Sequence, residues 1–192
     1  MTQIEAGATD AEVIARSLRT PEVFAEVFDR HQRAVHAYAV RRAGRDAADD
    51  VLSDAFLTAF GQRKRYKPDA ESALPWLYGI AGNILRRRWR SLAATDRLVQ
   101  SAAVHVVRFA DSHENQVVDR LGSTQDWLSV RTVLEQLPDG DREAILLFAW
   151  EELTYPEIAS AMGIPVGTVR SRIHRARRHL RAAIDDTLEV GR

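Results

Sequence analysis

The sequence contains no cysteine among its 192 residues, which excludes a disulfide framework and a thiolate metal site. It has no apolar run near the roughly 20 residues that a membrane-spanning helix requires. The first residues, MTQIEAGATDAEV, lack the basic segment followed by an apolar core that a signal peptide needs. These absences predict a chain that has no membrane partner and works in the cytoplasm.

Motifs of common catalytic sites are also missing. The sequence has no P-loop, no G-x-S-x-G and no HExxH. Two histidine pairs, His31 with His36 and His174 with His179, are spaced by five residues, which does not place two metal ligands on one helical face. We therefore predict no catalytic residue, no metal and no cofactor, and we expect His31 to be a partly buried core residue.

The formal net charge is zero, with 27 basic and 27 acidic residues, which taken alone argues against a nucleic-acid binder. The charges, however, are segregated along the chain. Arginine and lysine cluster within 63–67, 86–90 and 170–181, while acidic residues concentrate in the first third. This asymmetry predicts two kinds of partner, one anionic and one basic.

Apolar residues recur at helical spacing, and no strand-like alternation or repeat of 20–50 residues is present. We predict an all-α fold of two small helical domains, at residues 1–92 and 125–192, joined by a flexible linker over 93–124. The linker prediction follows from a stretch without sustained periodicity that is too long for a loop inside one compact domain.

The N-terminal domain is predicted to contain a short helix over 10–18 and a long helix from Pro21 to Gly44. Asp46 is expected to cap a third helix. A fourth helix, 72–92, ends in a run of arginines, which the helix dipole favours in any case. Three aromatic residues accompany that run, and aromatics among cations suit the stacking of unpaired bases. They are Trp76, Tyr78 and Trp89.

The segment LTYPEIASAMGIPVGTVRSRIHRARRHL (153–180) predicts a helix, a tight turn and a second helix. Thr154 and Glu157 have the spacing of a capping box, Gly163 suits a left-handed helix end, and Pro165 can open the next helix. Apolar residues form a single stripe along the second helix. They are Val169, Ile173, Ala176 and Leu180.

The arginines of the second helix lie off this stripe or flank it. A helix with one buried seam and a cationic outer face, preceded by a helix and a glycine turn, fits the major groove of DNA. The sequence therefore predicts a DNA-binding helix-turn-helix. Gly140, at the start of the preceding helix, is expected to loosen that end.

Three segments resemble the extracytoplasmic-function (ECF) group of bacterial RNA polymerase sigma factors. DAADDVLSDAFLTAF (46–60) is similar to region 2.2 of that family, PWLYGIAGNILRRRWR (75–90) to regions 2.3 and 2.4, and residues 137–180 to region 4. The likeness covers about residues 20–92 and 125–184. It implies a sigma factor that binds core RNA polymerase and directs transcription initiation at promoters through their −10 and −35 elements.

The resemblance also implies roles for single residues. The acidic residues of region 2.2 would dock on the coiled coil of the β′ clamp, and region 4 on the β flap; the docking residues are Asp49, Asp50 and Asp54. The loop from Lys67 to Ala73 and the helix after it would hold an unpaired −10 base. The −10 residues are Lys67, Trp76, Asn83, Arg86 and Arg87.

Region 4 would contact the −35 element as duplex DNA. The residues implied to face bases are Arg170, Ser171, His174 and Arg175, and those implied to hold phosphates are Thr168, Arg172 and Arg178. Anti-sigma proteins are common partners in the family, and the sequence leaves open whether one binds this chain. The alternative interpretation is a stand-alone helix-turn-helix transcriptional regulator.

Overall fold

The computed structural model describes residues 8–68, 70–99, 130 and 132–190, and in these residues the chain forms helices and turns without a strand. The all-α fold class predicted from the sequence is confirmed. The helices fall into an N-terminal and a C-terminal group, as the prediction of two helical domains requires.

The N-terminal group begins with α1 (Asp10–Ser17), which a capping box starts. The Thr9 hydroxyl accepts from the Glu12 amide at 3.3 Å, and the Glu12 carboxylate accepts from the Thr9 amide at 2.8 Å. The predicted helix from Pro21 opens as a 3₁₀ turn (Pro21–Phe24) and continues as α2 (Ala25–Ala43). Gly44 ends α2 with a φ of 82°, a conformation that glycine adopts without strain.

Helix α3 (Arg45–Gln62) follows Gly44 directly. The prediction that Asp46 caps this helix is therefore wrong, because Gly44 holds the N-cap position and Asp46 lies inside the first turn. There its carboxylate is still favoured by the positive end of the helix dipole. Helix α4 (Leu74–Val99) runs past the expected end at Leu92, so the first residues of the predicted linker are helical. Residues 100–129 lie outside the described residues.

The core of the N-terminal group lies between α1, α2, α3 and α4. Phe24 packs edge-to-face on Phe60 with ring centroids 5.5 Å apart, and Phe28 packs on Phe56 at 4.9 Å. Aliphatic side chains fill the space around these rings. The fully buried ones include Val13, Ile14, Val27, Val35, Val51 and Leu77.

The C-terminal group contains α5 (Asp139–Ala149), α6 (Tyr155–Met162) and α7 (Val166–Val190). The capping box at Thr154 and Glu157 is present, and Gly163 ends α6 in the left-handed region with a φ of 64°. Both predictions for this turn are confirmed. The apolar stripe of α7 is buried as predicted, with Val169, Ile173 and Ala176 at most 1% exposed.

Gly140 serves a different purpose from the predicted loosening. A Cβ atom at this position would lie 2.5 Å from Nη1 of Arg172, so the missing side chain lets Arg172 lie close against the first turn of α5. Arg142, 6% exposed, reaches back from the same turn. Its guanidinium donates to the carbonyls of Glu135 at 3.1 Å and Leu137 at 3.5 Å, which stabilises the end of the preceding helical segment.

The two helical groups touch each other through α4 and α6. A Cβ atom on Gly79 of α4 would lie 2.5 Å from the carbonyl oxygen of Ala161 of α6, so only glycine permits this backbone approach. Two domains joined by a flexible linker, as the sequence predicts, would not require this contact. The groups are present as predicted, and in addition they pack closely.

Ionic contacts reinforce this packing. The Tyr38 hydroxyl donates to Oε1 of Glu143 at 2.9 Å, and Arg42, 2% exposed, reaches the same oxygen at 3.4 Å. Arg41 donates to both carboxylate oxygens of Glu151 at 2.6 and 2.5 Å. Helix α2 is therefore tied to α5 and to the turn that follows α5.

Candidate nucleic-acid interface

The outer face of α7 presents most of the residues predicted to contact the −35 element. Arg170, Ser171, His174, Arg175 and Arg178 are exposed, whereas Thr168 and Arg172 are half-buried. The Ser171 hydroxyl donates to the carbonyl oxygen of Gly167 at 2.9 Å, a bond within the helix that leaves the side chain on the surface. The helix-turn-helix thus places a row of cations on the face opposite its buried seam.

Arg175 differs from its neighbours because it is anchored. Its Nε and Nη2 donate to the two carboxylate oxygens of Asp141 at 2.8 and 2.7 Å, a bidentate pair that joins α7 to α5. Asp141 is 4% exposed, so the arginine compensates a buried charge. The guanidinium that the sequence assigns to a base edge is therefore engaged within the protein.

The second cationic surface runs along α4. Trp76, Asn83 and Arg87 are separated by seven and four residues, which places them on one side of the helix. Arg86 donates to Oδ1 of Asn83 at 2.8 Å and so orients the amide. Lys67 is exposed on the loop before α4, and Arg87 is exposed on the helix. Trp76, Asn83 and Arg87 therefore share one side of α4, and Arg86 joins them through Asn83.

The aromatic part of this surface is smaller than the sequence predicts. Tyr78 is 5% exposed and packs on Tyr38 with ring centroids 4.9 Å apart, on the side of α4 that faces the C-terminal group. Burial, with a further contribution from Glu151, raises the pKa of Tyr78 above its ordinary value. Trp89 is half-buried against the core. Trp76 is also half-buried and packs at 4.9 Å on Tyr66, but of the three aromatics it is the one that shares a side of α4 with Asn83 and Arg87.

Helix α3 carries the predicted docking residues on its solvent face, where Asp49, Asp50 and Asp54 are all exposed. Two basic side chains approach them. His36 lies 3.2 Å from Asp49, and Arg88 donates to Asp50 at 3.1 Å. Arg88 therefore compensates part of the negative charge of this face.

Leu57 completes this face and was missed by the sequence analysis. It is 70% exposed and lies one turn beyond Asp54. The signal was present, because Leu57 falls off the buried stripe formed by Ala55, Phe56 and Ala59. Leu57 therefore adds apolar area to the face that carries Asp50 and Asp54.

Within the described residues, no group of three or more histidine, aspartate or glutamate side chains is placed to hold a metal ion. None of the helices in that part of the chain combines the length and apolarity needed to cross a bilayer.

Comparison with known proteins identifies the family of the chain. The family model for sigma-70 region 2 matches residues 27–95, and the model for sigma-70 region 4 matches residues 127–180. The ECF RNA polymerase sigma factor SigM of Mycobacterium tuberculosis is 30% identical over 175 residues, which cover 90% of this chain and 83% of that protein.

Two other similarities agree with this match. The probable RNA polymerase sigma-C factor of Mycobacterium bovis is 32% identical over 131 residues, and the match spans 66% of its length and 68% of this chain. The solved structure of CnrH in complex with the cytosolic domain of CnrY has a TM-score of 0.63 at 26% identity, covering 93% of this chain and 99% of that one. The chain belongs to the ECF family of RNA polymerase sigma factors.

Proposed function

We propose that this chain binds core RNA polymerase in the cytoplasm and directs it to promoters as a dissociable subunit with no catalytic activity of its own. One observation supports this most strongly. A single chain combines an exposed cationic face on α7, a cationic and aromatic surface on α4, and an acidic face with an exposed leucine on α3. A stand-alone DNA-binding regulator has no need for the third surface.

The face of α7 is proposed to enter the major groove at the −35 element. Arg170, Ser171 and His174 point away from the core and are free to meet base edges. Thr168, Arg172 and Arg178 flank them and suit phosphate contacts, which fix the register of the helix on the duplex. Arg175 adds positive charge while it holds α7 on α5.

The surface of α4 is proposed to bind the −10 element as it melts. Holding a base outside the stack must offset an unstacking cost of a few kcal/mol. Trp76 offers an aromatic ring that packs on Tyr66, the residue before the exposed Lys67. Asn83 has both a donor and an acceptor for a base edge. Arg86 and Arg87 supply charge for the single-stranded backbone.

The acidic face of α3 is proposed to dock on the coiled coil of the β′ clamp, and the C-terminal domain on the β flap. Asp49, Asp50 and Asp54 would attract a basic partner over long range. Leu57 would supply apolar contact area once the surfaces meet, because burial of a leucine is worth about 1.5–3 kcal/mol.

The docking face can be tested with purified core polymerase. Replacing Asp49, Asp50 and Asp54 with lysine should abolish binding while the far-UV circular dichroism spectrum is retained, and Leu57→Ser should weaken binding at unchanged charge. Asp29→Lys, an exposed charge reversal on α2, serves as the control. Undiminished co-elution of the triple variant with core polymerase would contradict the proposed face.

Run-off transcription with core polymerase, with start sites mapped across a genomic library, tests the function as a whole. Added protein should produce initiation at a defined set of promoters, and the free protein should bind promoter DNA poorly. Strong promoter footprints without polymerase would instead favour the stand-alone regulator.

We further propose that a protein partner restrains this chain, since its relative CnrH has been solved with the cytosolic domain of CnrY. A partner of this kind would have to cover the docking face or the DNA-contacting surfaces. Co-purification from the native host, followed by loss of run-off activity when the purified partner is added, is the test.

A further inference from the structure

We propose that Asp10 is a positioning residue for −10 recognition, because it fastens residues 70–73, which lead directly into α4 (hereafter the α4 start), to helix α1. This inference rests on the proposed function, in which α4 presents the −10 surface. Asp10 lies outside the stretch that the region 2 family model matches, which begins at residue 27. Helix α1 thus adds a support to the matched domain.

The carboxylate of Asp10 is 6% exposed and both of its oxygens are engaged. Oδ2 accepts from the Ala73 amide at 2.8 Å, and the Ser72 hydroxyl lies 3.4 Å away. Nε2 of His31 is 2.6 Å from the same oxygen. Oδ1 accepts from Nη1 of Arg30 at 2.9 Å. Asp10 therefore joins α1, α2 and the α4 start through one buried group.

The contact with Ala73 has a specific effect on α4. The first amides of a helix lack partners within the helix, and a negative charge there is favoured by the helix dipole. Ser72 satisfies the amide of Leu74, accepting at 3.1 Å, while Asp10 satisfies the amide of Ala73. The position and direction of the first turn of α4 are thereby set by a residue more than 60 positions earlier in the chain.

Asp10 is itself held in a fixed orientation. The capping box of Thr9 and Glu12 fixes the first turn of α1, and Arg30 donates to the carbonyl oxygen of Ala8 at 2.8 Å as well as to Asp10. Burial tends to raise the pKa of Asp10, but the hydrogen bonds from Ala73 and Arg30 and the proximity of His31 outweigh it and lower the pKa below 3.8. The group is a carboxylate near neutral pH.

The first turn of α4 also carries the stacking residue of the −10 surface. Trp76 follows Ala73 by three residues, and its ring packs on Tyr66 at the other end of the loop. The residues on both sides of the loop before α4 are therefore held, Tyr66 by its contact with Trp76 and Ala73 by its hydrogen bond to Asp10. A shift of the α4 start would move Trp76 relative to Asn83 and Lys67. Misplacement of a side chain that contacts a base reduces the discrimination between bases.

The experiment compares Asp10→Ala and the nearly isosteric Asp10→Asn with Glu12→Gln. Glu12 is exposed and makes no contact with α4 among the described residues, and glutamine at this position keeps the capping box that orients Asp10. Hydrogen exchange is measured over peptides spanning 70–78 and over α3. Loss of a charged hydrogen bond to Ala73 should speed exchange at 70–78 roughly tenfold in Asp10→Ala, and leave Glu12→Gln and α3 unchanged.

Reconstituted holoenzyme is then assayed on templates in which each −10 base is replaced in turn. Asp10→Ala should reduce the rate ratio between preferred and replaced base roughly tenfold at one −10 position, while core affinity and −35 preference stay the same. Asp10→Asn, which keeps an acceptor, should lie between wild type and Asp10→Ala. A role in stability alone would lower activity on all templates equally.

The possible failures are separable. Unchanged exchange at 70–78, or full −10 discrimination in Asp10→Ala alongside a normal wild type, overturns the inference and leaves the proposed function intact. Wild-type holoenzyme that makes no distinction among −10 bases overturns the proposed −10 function and the inference with it.

Discussion

Arg175 shows how one side chain can serve both the fold and a binding surface. Its bidentate pair with Asp141 compensates a carboxylate that is only 4% exposed, while its own side chain remains 48% exposed on the cationic face. Removing one partner of such a buried ion pair destabilises the fold by more than the intact pair stabilises it, because the remaining charge is buried without compensation. The assignment of Arg175 to a base edge stays a prediction. In the structure Arg175 also holds α7 on α5 through Asp141.

Arg175→Ala is expected to lower the unfolding midpoint and to weaken −35 binding roughly ten- to hundredfold. Asp141→Asn in the same chain should recover the midpoint, since it removes the uncompensated charge, but should not recover binding. Thermal unfolding and binding to duplex −35 DNA with single-base replacements are the measurements. Arg170→Ala, on the same face, is the control that should leave the midpoint unchanged. Binding that recovers in the double variant would show that Arg175 acts only through Asp141.

Asp10 should give the protein a component of acid sensitivity. Its pKa in the folded chain lies below the ordinary value of 3.8, so folding is stabilised by its ionised form. That stabilisation is complete above the ordinary value and is lost as the pH falls through the lowered pKa. The free energy of unfolding of wild type should therefore fall more steeply below pH 4 than that of Asp10→Asn, as urea unfolding at several pH values would show. Parallel curves would contradict this origin.

At the scale of single elements, the helix-turn-helix follows closely from local chemistry. The capping box, the left-handed Gly163 and the buried stripe of α7 depend on residues near one another in the chain, so their pattern predicts them. The acidic face of α3 and the cationic side of α4 could be predicted for the same reason.

Features that depend on distant packing could not be predicted. Tyr78 is buried because α2 and the C-terminal group cover it, and Asp10 is buried because the α4 start folds onto α1. Gly140 looked like a weak point in a helix, whereas Arg172, from a helix two elements later, explains it. In each case the partner is distant in sequence, so the periodicity of the neighbouring residues does not predict the contact.

Two glycines, one in the turn after α6 and one in the first turn of α7, should respond oppositely to replacement by alanine. Gly163 has a φ of 64°, so Gly163→Ala should destabilise the protein by about 1–2 kcal/mol. Gly167 lies within α7, and a Cβ atom there would meet open space. Gly167→Ala should therefore stabilise it by up to about 1 kcal/mol. Denaturant unfolding measures both changes in the free energy of unfolding. A loss of stability in Gly167→Ala as well would show that α7 tolerates no added side chain at its start.

At the scale of the whole molecule, the packed arrangement and the proposed function require different geometries. The −10 and −35 elements are separated by roughly 25 base pairs, which at 3.4 Å each is about 85 Å along DNA. In the structure α4 and α6 are in backbone contact at Gly79 and Ala161. Contact with both elements therefore requires the two groups to separate.

The interface between the groups is closely packed but incompletely satisfied. Arg42 is buried against Glu143, yet Nε and Nη1 of Arg42 and Nε of Arg41 are buried without an acceptor among the described residues. Buried donors without partners cost free energy. The packed form is thus held by backbone proximity, two ion pairs and the hydrogen bond from Tyr38 to Glu143, and these unmet donors oppose it.

Gly79→Leu is expected to open the molecule, because its side chain would collide with the backbone of Ala161. Gly61→Leu is the control for the radius only, since a Cβ atom there meets nothing within 4 Å but Gly61 lies one turn beyond Leu57 of the docking face. Small-angle X-ray scattering should show a larger radius of gyration for Gly79→Leu only. If the open form is the one that binds core polymerase, affinity should rise by up to the factor by which the packed form predominates. An unchanged radius of gyration in Gly79→Leu would mean that the two groups already separate in solution. A larger radius with unchanged affinity would mean that core polymerase binds the packed and the open form alike.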